Sequence, residues 1–131
     1  VRLLLDTHVW LWTLTHPDRL GRRARSAIRR ATSELWLSPI SVWELLVLNE
    51  RGRVRLDGEP GRWVREALER SPVREATLTS EVAIQSREIA PSHPDPADRF
   101  IMATALVHEL TLVTADDALL DLKLCSLLPA R

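Results

Sequence analysis

The sequence predicts an α/β domain built from βαβ units around a parallel sheet. Short apolar runs of strand length alternate along the chain with longer amphipathic stretches, the order that a parallel sheet with crossover helices requires. Two of those runs, Leu3-Leu4-Leu5 and Leu112-Val113-Thr114-Ala115, each end on an aspartate, Asp6 and Asp116, followed at once by a helical pattern. The chain of 131 residues, 45% hydrophobic and 27% charged, is of a size for one domain, 1–131, with one well-formed core. No repeat, linker or low-complexity segment interrupts it.

Each element has its own warrant. Arg2 to Leu5 is mainly apolar without alternation, as a strand buried on both faces must be. Val9, Trp10, Leu11, Trp12 and Leu14 suit a packed first helix, which His16-Pro17-Asp18 breaks. Gly21 to Ala31 reads as a second, basic helix, and Glu34 to Ser38 as the second strand. Ile40 to Glu50 is a helix closed by Gly52 in a C-cap position. Val54 to Leu56 reads as extended, Gly58-Glu59-Pro60-Gly61 as a loop, and about Arg62 to Arg70 as a helix ended by Ser71-Pro72. Val73 to Ala76 is a third strand. Thr79 is a favoured N-cap for a helix running to Ile89. Ala90 to Pro96, stiffened by Pro91, Pro94 and Pro96, is a loop; Ala97 to Leu110 is an apolar helix and Thr111 to Thr114 a strand. A short helix and a last strand near Leu122 to Leu127 complete the domain.

Composition excludes several classes. No apolar run approaches the roughly 18 residues of a transmembrane helix. Val1-Arg2 leads straight into a strand, so no signal peptide is expected. The lone Cys125 has no internal disulfide partner, which suits a reducing cytoplasm, and no membrane partner is expected. Net charge is zero, yet all but Lys123 of the 18 basic residues are arginine. Arg19, Arg22, Arg23, Arg25, Arg29 and Arg30 crowd the second helix and its approach, and Arg51, Arg53 and Arg55 crowd the end of the third. They read either as solvated helix faces or as a basic rim that holds a phosphate backbone.

Four carboxylates stand at junctions where such a domain would gather them: Asp6, Glu44, Asp98 and Asp116. The carboxyl edge of a parallel sheet is where ligands bind. Acids brought together there raise one another's pKa, and a divalent cation removes that cost. An all-oxygen ligand set suits Mg²⁺ or Mn²⁺. Taken singly, Asp6 and Asp116 also serve as N-caps, and Asp98 also suits the first turn of a helix. Glu44 is harder to explain away. It is the only charge in Val42-Trp43-Glu44-Leu45-Leu46-Val47-Leu48, and a buried acid without a partner is costly. A metal-dependent phosphodiester hydrolase is the first reading.

The ordered blocks Asp6-Thr7-His8-Val9-Trp10-Leu11-Trp12, Leu37-Ser38-Pro39-Ile40-Ser41-Val42-Trp43-Glu44, His93-Pro94-Asp95-Pro96-Ala97-Asp98-Arg99 and Leu112-Val113-Thr114-Ala115-Asp116 resemble the motifs of PIN-domain ribonucleases. Within these they are most similar to the VapC toxins of bacterial and archaeal toxin–antitoxin pairs. The resemblance implies a three-layer α/β/α sandwich with a short, mostly parallel sheet. It also implies Mg²⁺- or Mn²⁺-dependent endoribonuclease activity on RNA, such as transfer or ribosomal RNA loops, and a cognate VapB-type antitoxin. The metal-site acids carried over are Asp6, Glu44, Asp98 and Asp116. Thr7 and Thr114 stand where they could bond neighbouring carboxylates or bound water, and Asp95 reads as an outer acid or a loop residue. Arg22, Arg23, Arg51, Arg53 and Arg99 are the candidate RNA contacts, with Arg99 also readable as a plain surface partner of Asp98. His8 and His93 read as structural or rim residues. Trp10 and Trp12 suit core or interface, or contact with a base or partner helix.

Apolar excess on the first and third helices suggests a homodimer. Ala97 stands where members often carry a bulky aromatic, and Leu119 to Arg131 is less typical of the group. A haloacid-dehalogenase-type phosphatase needs an Asp two residues after Asp6, where this chain has His8. A response-regulator receiver needs a lysine after a late strand, a role that Lys123 does not suit. The remaining alternative is a catalytically silent PIN-like module that binds RNA or protein.

Overall fold

The computed structural model describes residues 1–131 as five parallel strands in one sheet, ordered β3-β2-β1-β4-β5, with seven helices. The strands are β1 (Arg2–Leu5), β2 (Glu34–Leu37), β3 (Arg74–Glu75), β4 (Thr111–Thr114) and β5 (Leu127–Pro129). The helices are α1 (Thr7–Thr15), α2 (Arg22–Arg29), α3 (Pro39–Glu50), α4 (Pro60–Arg70), α5 (Ser80–Glu88), α6 (Pro96–Val107) and α7 (Asp117–Leu122), with a 3₁₀ turn at Pro17–Arg19 after α1. No helix is long and apolar enough to cross a membrane.

The alternation of side chains along each strand makes the layers. Leu3 and Leu5 of β1 face a core built with Val9 and Trp10 of α1, Ala24 of α2 and Val64 of α4. Leu4 faces the opposite way, into a second core with Val82 of α5, Ile101 and Met102 of α6 and Leu119 of α7. Val113 and Leu112 of β4 divide in the same manner. Helices therefore cover both faces, and β1 must be apolar at three successive positions. Burying each such leucine stabilises the domain by roughly 2 kcal/mol.

Several boundaries differ from the sequence reading. α4 starts at Pro60, because the Glu59 carboxylate accepts the Gly61 and Arg62 N–H groups and proline at the first helical position forfeits no bond. Val54 to Leu56 forms no strand: the Val54 N–H bonds back to the Leu48 carbonyl, and Leu56 is buried in the first core. β3 keeps only Arg74 and Glu75 of the four residues expected. α6 ends at Val107, where a turn with Glu109 at φ 55° leads into β4. The last strand lies at Leu127–Pro129 rather than Leu122 to Leu127, since α7 runs to Leu122 and Lys123 turns left-handed behind it. Pro129 is tolerated there because β5 is an edge strand.

The strand order positions the site. From β1 the chain moves outward to β2 and β3, and from β4 it moves outward the other way to β5. The connections leaving neighbouring β1 and β4 therefore diverge, and a crevice opens between them at the carboxyl edge. Leu5 pairs with Val113, and the Asp6 N–H donates to the Val113 carbonyl at 3.0 Å. Asp6 and the segment Thr114 to Asp116 thus emerge side by side.

Candidate active site

Asp6 is both a cap and a pocket acid. Its Oδ1 accepts the Thr7 N–H at 2.8 Å at the start of α1, and its Oδ2 accepts the Thr114 hydroxyl at 2.6 Å. The Thr114 Oγ1 in turn accepts the Asp116 N–H at 3.0 Å. Asp116 caps α7 through Oδ1, which accepts the Ala118 N–H at 2.9 Å. Capping and site membership are therefore not rivals here: the cap bond orients the carboxylate.

Glu44 is the sixth residue of α3, the helix that Ser38 caps immediately after β2. Leu45 and Ser41 are buried, whereas Trp43 is 57% exposed, so Glu44 lies between the core side and the open side of the helix. Its Oε1 accepts the Thr7 hydroxyl. Asp95 caps α6, accepting the Ala97 N–H at 2.9 Å, and Asp98 follows in the first turn. The Asp98 Oδ2 lies 3.0 Å from His93 Nε2, with both side chains largely buried.

Glu44, Asp95 and Asp98 each present one carboxylate oxygen within 4.8 Å of the other two. Asp6 and Asp116 line the same cleft of about 340 Å³, together with His8, Trp12 and Arg131. Burial pushes the Asp98 carboxyl up to about 7; the His93 bond opposes this, and Asp95, Asp6 and Asp116 add to it. Burial also raises Asp6, against the Thr114 and Thr7 hydrogen bonds, and raises Glu44, against the Thr7 bond and reinforced by Asp6 and Asp95. These acids hold more negative charge than their surroundings compensate.

A pH dependence follows. The native state keeps the Asp98 proton up to about pH 7, whereas the unfolded chain loses it near 3.8. The native state thus binds more protons in that window, and stability falls as pH rises through it. Urea unfolding of the metal-free protein should show the chain losing stability relative to its Asp98→Asn variant as pH rises from about 4 to 7. A difference that stays level over that range would contradict this placement of Asp98.

All four acids expected from the sequence face this cleft, and Thr7 and Thr114 bond two of them. Asp95 joins Glu44 and Asp98 more closely than an outer or loop acid would. His93, expected to be structural or rim, is the direct partner of Asp98; the only signal was its place five residues earlier in a proline-stiffened loop. Arg99 is a correction. It is buried, and its guanidinium donates to the carbonyls of Ser86, Arg87 and Pro91, so it braces the end of α5 and is not presented to RNA or to solvent. Arg22 and Arg23 are exposed at the start of α2. Arg51 and Arg53 are exposed beyond α3, where Arg51 lies roughly 10 Å past Glu44 along the helix axis. Trp10 is fully buried and Trp12 nearly so, which removes both indoles from base stacking in this conformation.

A parallel α/β sheet whose switch point opens onto a cluster of carboxylates defines a class of acid-centred domains suited to divalent cations. The PIN domain family model matches residues 3–123 of the chain. Ribonuclease VapC22 of Mycobacterium tuberculosis is 40% identical over 115 residues, covering 87% of this chain and 86% of that protein. Among solved structures, VapBC2 from Rickettsia felis, bound to a DNA fragment from its promoter, superimposes over 100% of both chains with a TM-score of 0.72 at 14% identity. FitAcB from Neisseria gonorrhoeae matches over 95% of both chains with a TM-score of 0.60 at 25% identity. The chain belongs to the PIN-domain family, and within it to the VapC type.

Proposed function

We propose that this chain is a Mg²⁺- or Mn²⁺-dependent endoribonuclease, acting as the toxin of a VapBC-type pair. The observation that carries the reading is the convergence of Glu44, Asp95 and Asp98 oxygens within 4.8 Å in a cleft that Asp6 and Asp116 also line. The donors are all carboxylate oxygens, the set that hard divalent cations take, and the raised Asp6, Glu44 and Asp98 carboxyls point to missing positive charge. A divalent cation held here would lower the pKa of a water molecule and neutralise charge on the scissile phosphate.

The chain's own residues supply position. Thr7 holds the Glu44 carboxylate, Thr114 holds Asp6, and His93 holds Asp98, so three acids of the cleft have a fixed orientation before substrate arrives. Water activated by a bound cation requires no general-base histidine. Attack by water rather than by the RNA 2′-oxygen, with the 3′-oxygen as the leaving group, leaves a 5′-phosphate and a 3′-hydroxyl. The cleft is open, which suits single-stranded loops of a structured RNA, and Arg22 and Arg23 are offered as backbone contacts. A catalytically silent module would have no need to keep five carboxylates in one cleft.

The VapBC relatives support a VapB-type antitoxin as partner. An antitoxin arginine entering the cleft would pair with the carboxylates and take the place of metal charge. Trp43, exposed on α3, supports a homodimer as the second assembly. Co-expression with the adjacent reading frame tests the whole reading. The expected result is a silent complex of two different chains, and a dimeric free chain that cuts RNA to 5′-phosphate ends. A free chain that is harmless in cells, stays monomeric and binds no neighbour would overturn it, and 2′,3′-cyclic phosphate ends would overturn the water mechanism.

A further inference from the structure

Two arginines outside the ion pairs of the chain sit on Trp12, a ring that lines the acidic cleft. The guanidinium carbon of Arg131 lies 5.4 Å from the centroid of the Trp12 ring, and that of Arg19 lies 5.7 Å from the same ring. Neither forms an ion pair, although Arg131 lines the cleft beside carboxylates; the ion pairs of the chain involve Arg2, Arg74 and His93 only. Both arginines are exposed, whereas Trp12 is buried and fixed in the first core. A rigid aromatic ring thus holds two flexible side chains near one place, lowering the entropy lost when they grip a ligand. Their donors stay unspent.

The position is continuous with a larger basic surface. The Gly21 N–H donates to the Ala130 carbonyl at 2.7 Å, so α2 begins directly beside Arg131. Arg131 also lines a second crevice, with Arg22 and Arg23. From there α2 carries Arg25 and Arg29 along a shared groove. An acidic cleft that accepts one phosphate with its cation repels the rest of a polyanion, so the flanking phosphates need positive charge just outside it.

We propose that Arg19 and Arg131, seated on Trp12, bind the backbone phosphates next to the one that is cut, and lead the RNA strand from the cleft onto α2. The proposal rests on the ribonuclease reading for its substrate. It adds which side of the cleft the strand leaves by. Guanidinium groups match phosphate oxygens bidentately, and contacts to the backbone alone make this a site for strand position rather than for base identity.

The test compares two double variants with equal loss of charge, Arg19→Gln/Arg131→Gln and, on the exposed side of α4, Arg65→Gln/Arg70→Gln, in the full chain. The first readout is binding of a fluorescent single-stranded oligoribonucleotide, in Mg²⁺, over a range of KCl, with Glu44→Gln added to prevent cutting. The second is KM and kcat without that change. The Arg19/Arg131 pair should weaken binding at least about ten-fold and reduce the salt slope by about 1.4, as loss of two single-strand phosphate contacts predicts. KM should rise by a similar factor with kcat within about three-fold, and the α4 pair should change little. Equal effects from both pairs would overturn the proposal, as would a lowered kcat at unchanged KM. If RNA binding depends on Arg19 and Arg131 but the chain cuts nothing, the strand path stands and the ribonuclease reading falls.

Discussion

Changing Glu44 to Gln, or Asp98 to Asn, is expected to reduce RNA cleavage by at least about 10²-fold while leaving the protein folded. A metal site contributes several kcal/mol of charge stabilisation in the transition state, and each ~1.4 kcal/mol is a factor of ten. Both side chains keep their shape in the amide, so packing around α3 and α6 is retained. The change in stability should have an unusual sign. Burial and neighbouring acids disfavour the ionised forms of Glu44 and Asp98, so removing either charge should make the metal-free protein more stable near pH 7.5. Saturating Mg²⁺ should reverse the order, because the unchanged chain gains about 2.7 kcal/mol at a hundred times its Kd and the variants gain less. Turnover measurements with urea unfolding, with and without Mg²⁺, check both parts. If Glu44→Gln unfolds the domain in the absence of metal, Glu44 is a structural residue and its assignment here is wrong.

Chelation is expected to have the largest effect. Without a cation, Asp6, Glu44, Asp95, Asp98 and Asp116 present only negative charge to an anionic substrate. Excess EDTA should therefore abolish cleavage, and Mg²⁺ or Mn²⁺ added beyond the chelator should restore it. Loss should appear in kcat and in RNA affinity together, because the same charge both binds the scissile phosphate and activates water. Cleavage that continues undiminished in EDTA would sink the metal-dependent mechanism while leaving the fold and family untouched.

The site was legible where a local rule sufficed. Asp6 and Asp116 terminate apolar runs, and Glu44 breaks an otherwise apolar helix. Asp98 stood out less by any such rule than by its place in an ordered set of motifs. Asp95 was ambiguous because its cap bond to Ala97 is a local role that says nothing of Glu44, which approaches from another helix. Arg99 was misread because a charged residue in a first turn is usually solvated. Its burial depends on the end of α5 lying across it, with Ser86 and Arg87 offering carbonyls that α5 itself leaves unbonded.

The sequence by itself determined the alternation of strands and helices, the apolar character of β1 and β4, the caps Asp6, Thr79 and Asp116, and the placing of Asp6 and Asp116 at strand ends. These follow from side-chain period and terminal chemistry, which act over a few residues. The tertiary structure alone decided which groups meet. The Thr114 hydroxyl reaches Asp6 across a separation of 108 residues, and Thr7 reaches Glu44 across 37. Parallel pairing of β1 with β4 and the packing of α1 against α3 bring them together, and no local pattern encodes either. The same long-range packing placed Arg131 over Trp12, which Arg19 reaches locally from the turn after α1, and withdrew Arg99 from solvent. Local periodicity specifies elements, but the charge environment of a side chain is set by the elements that pack around it.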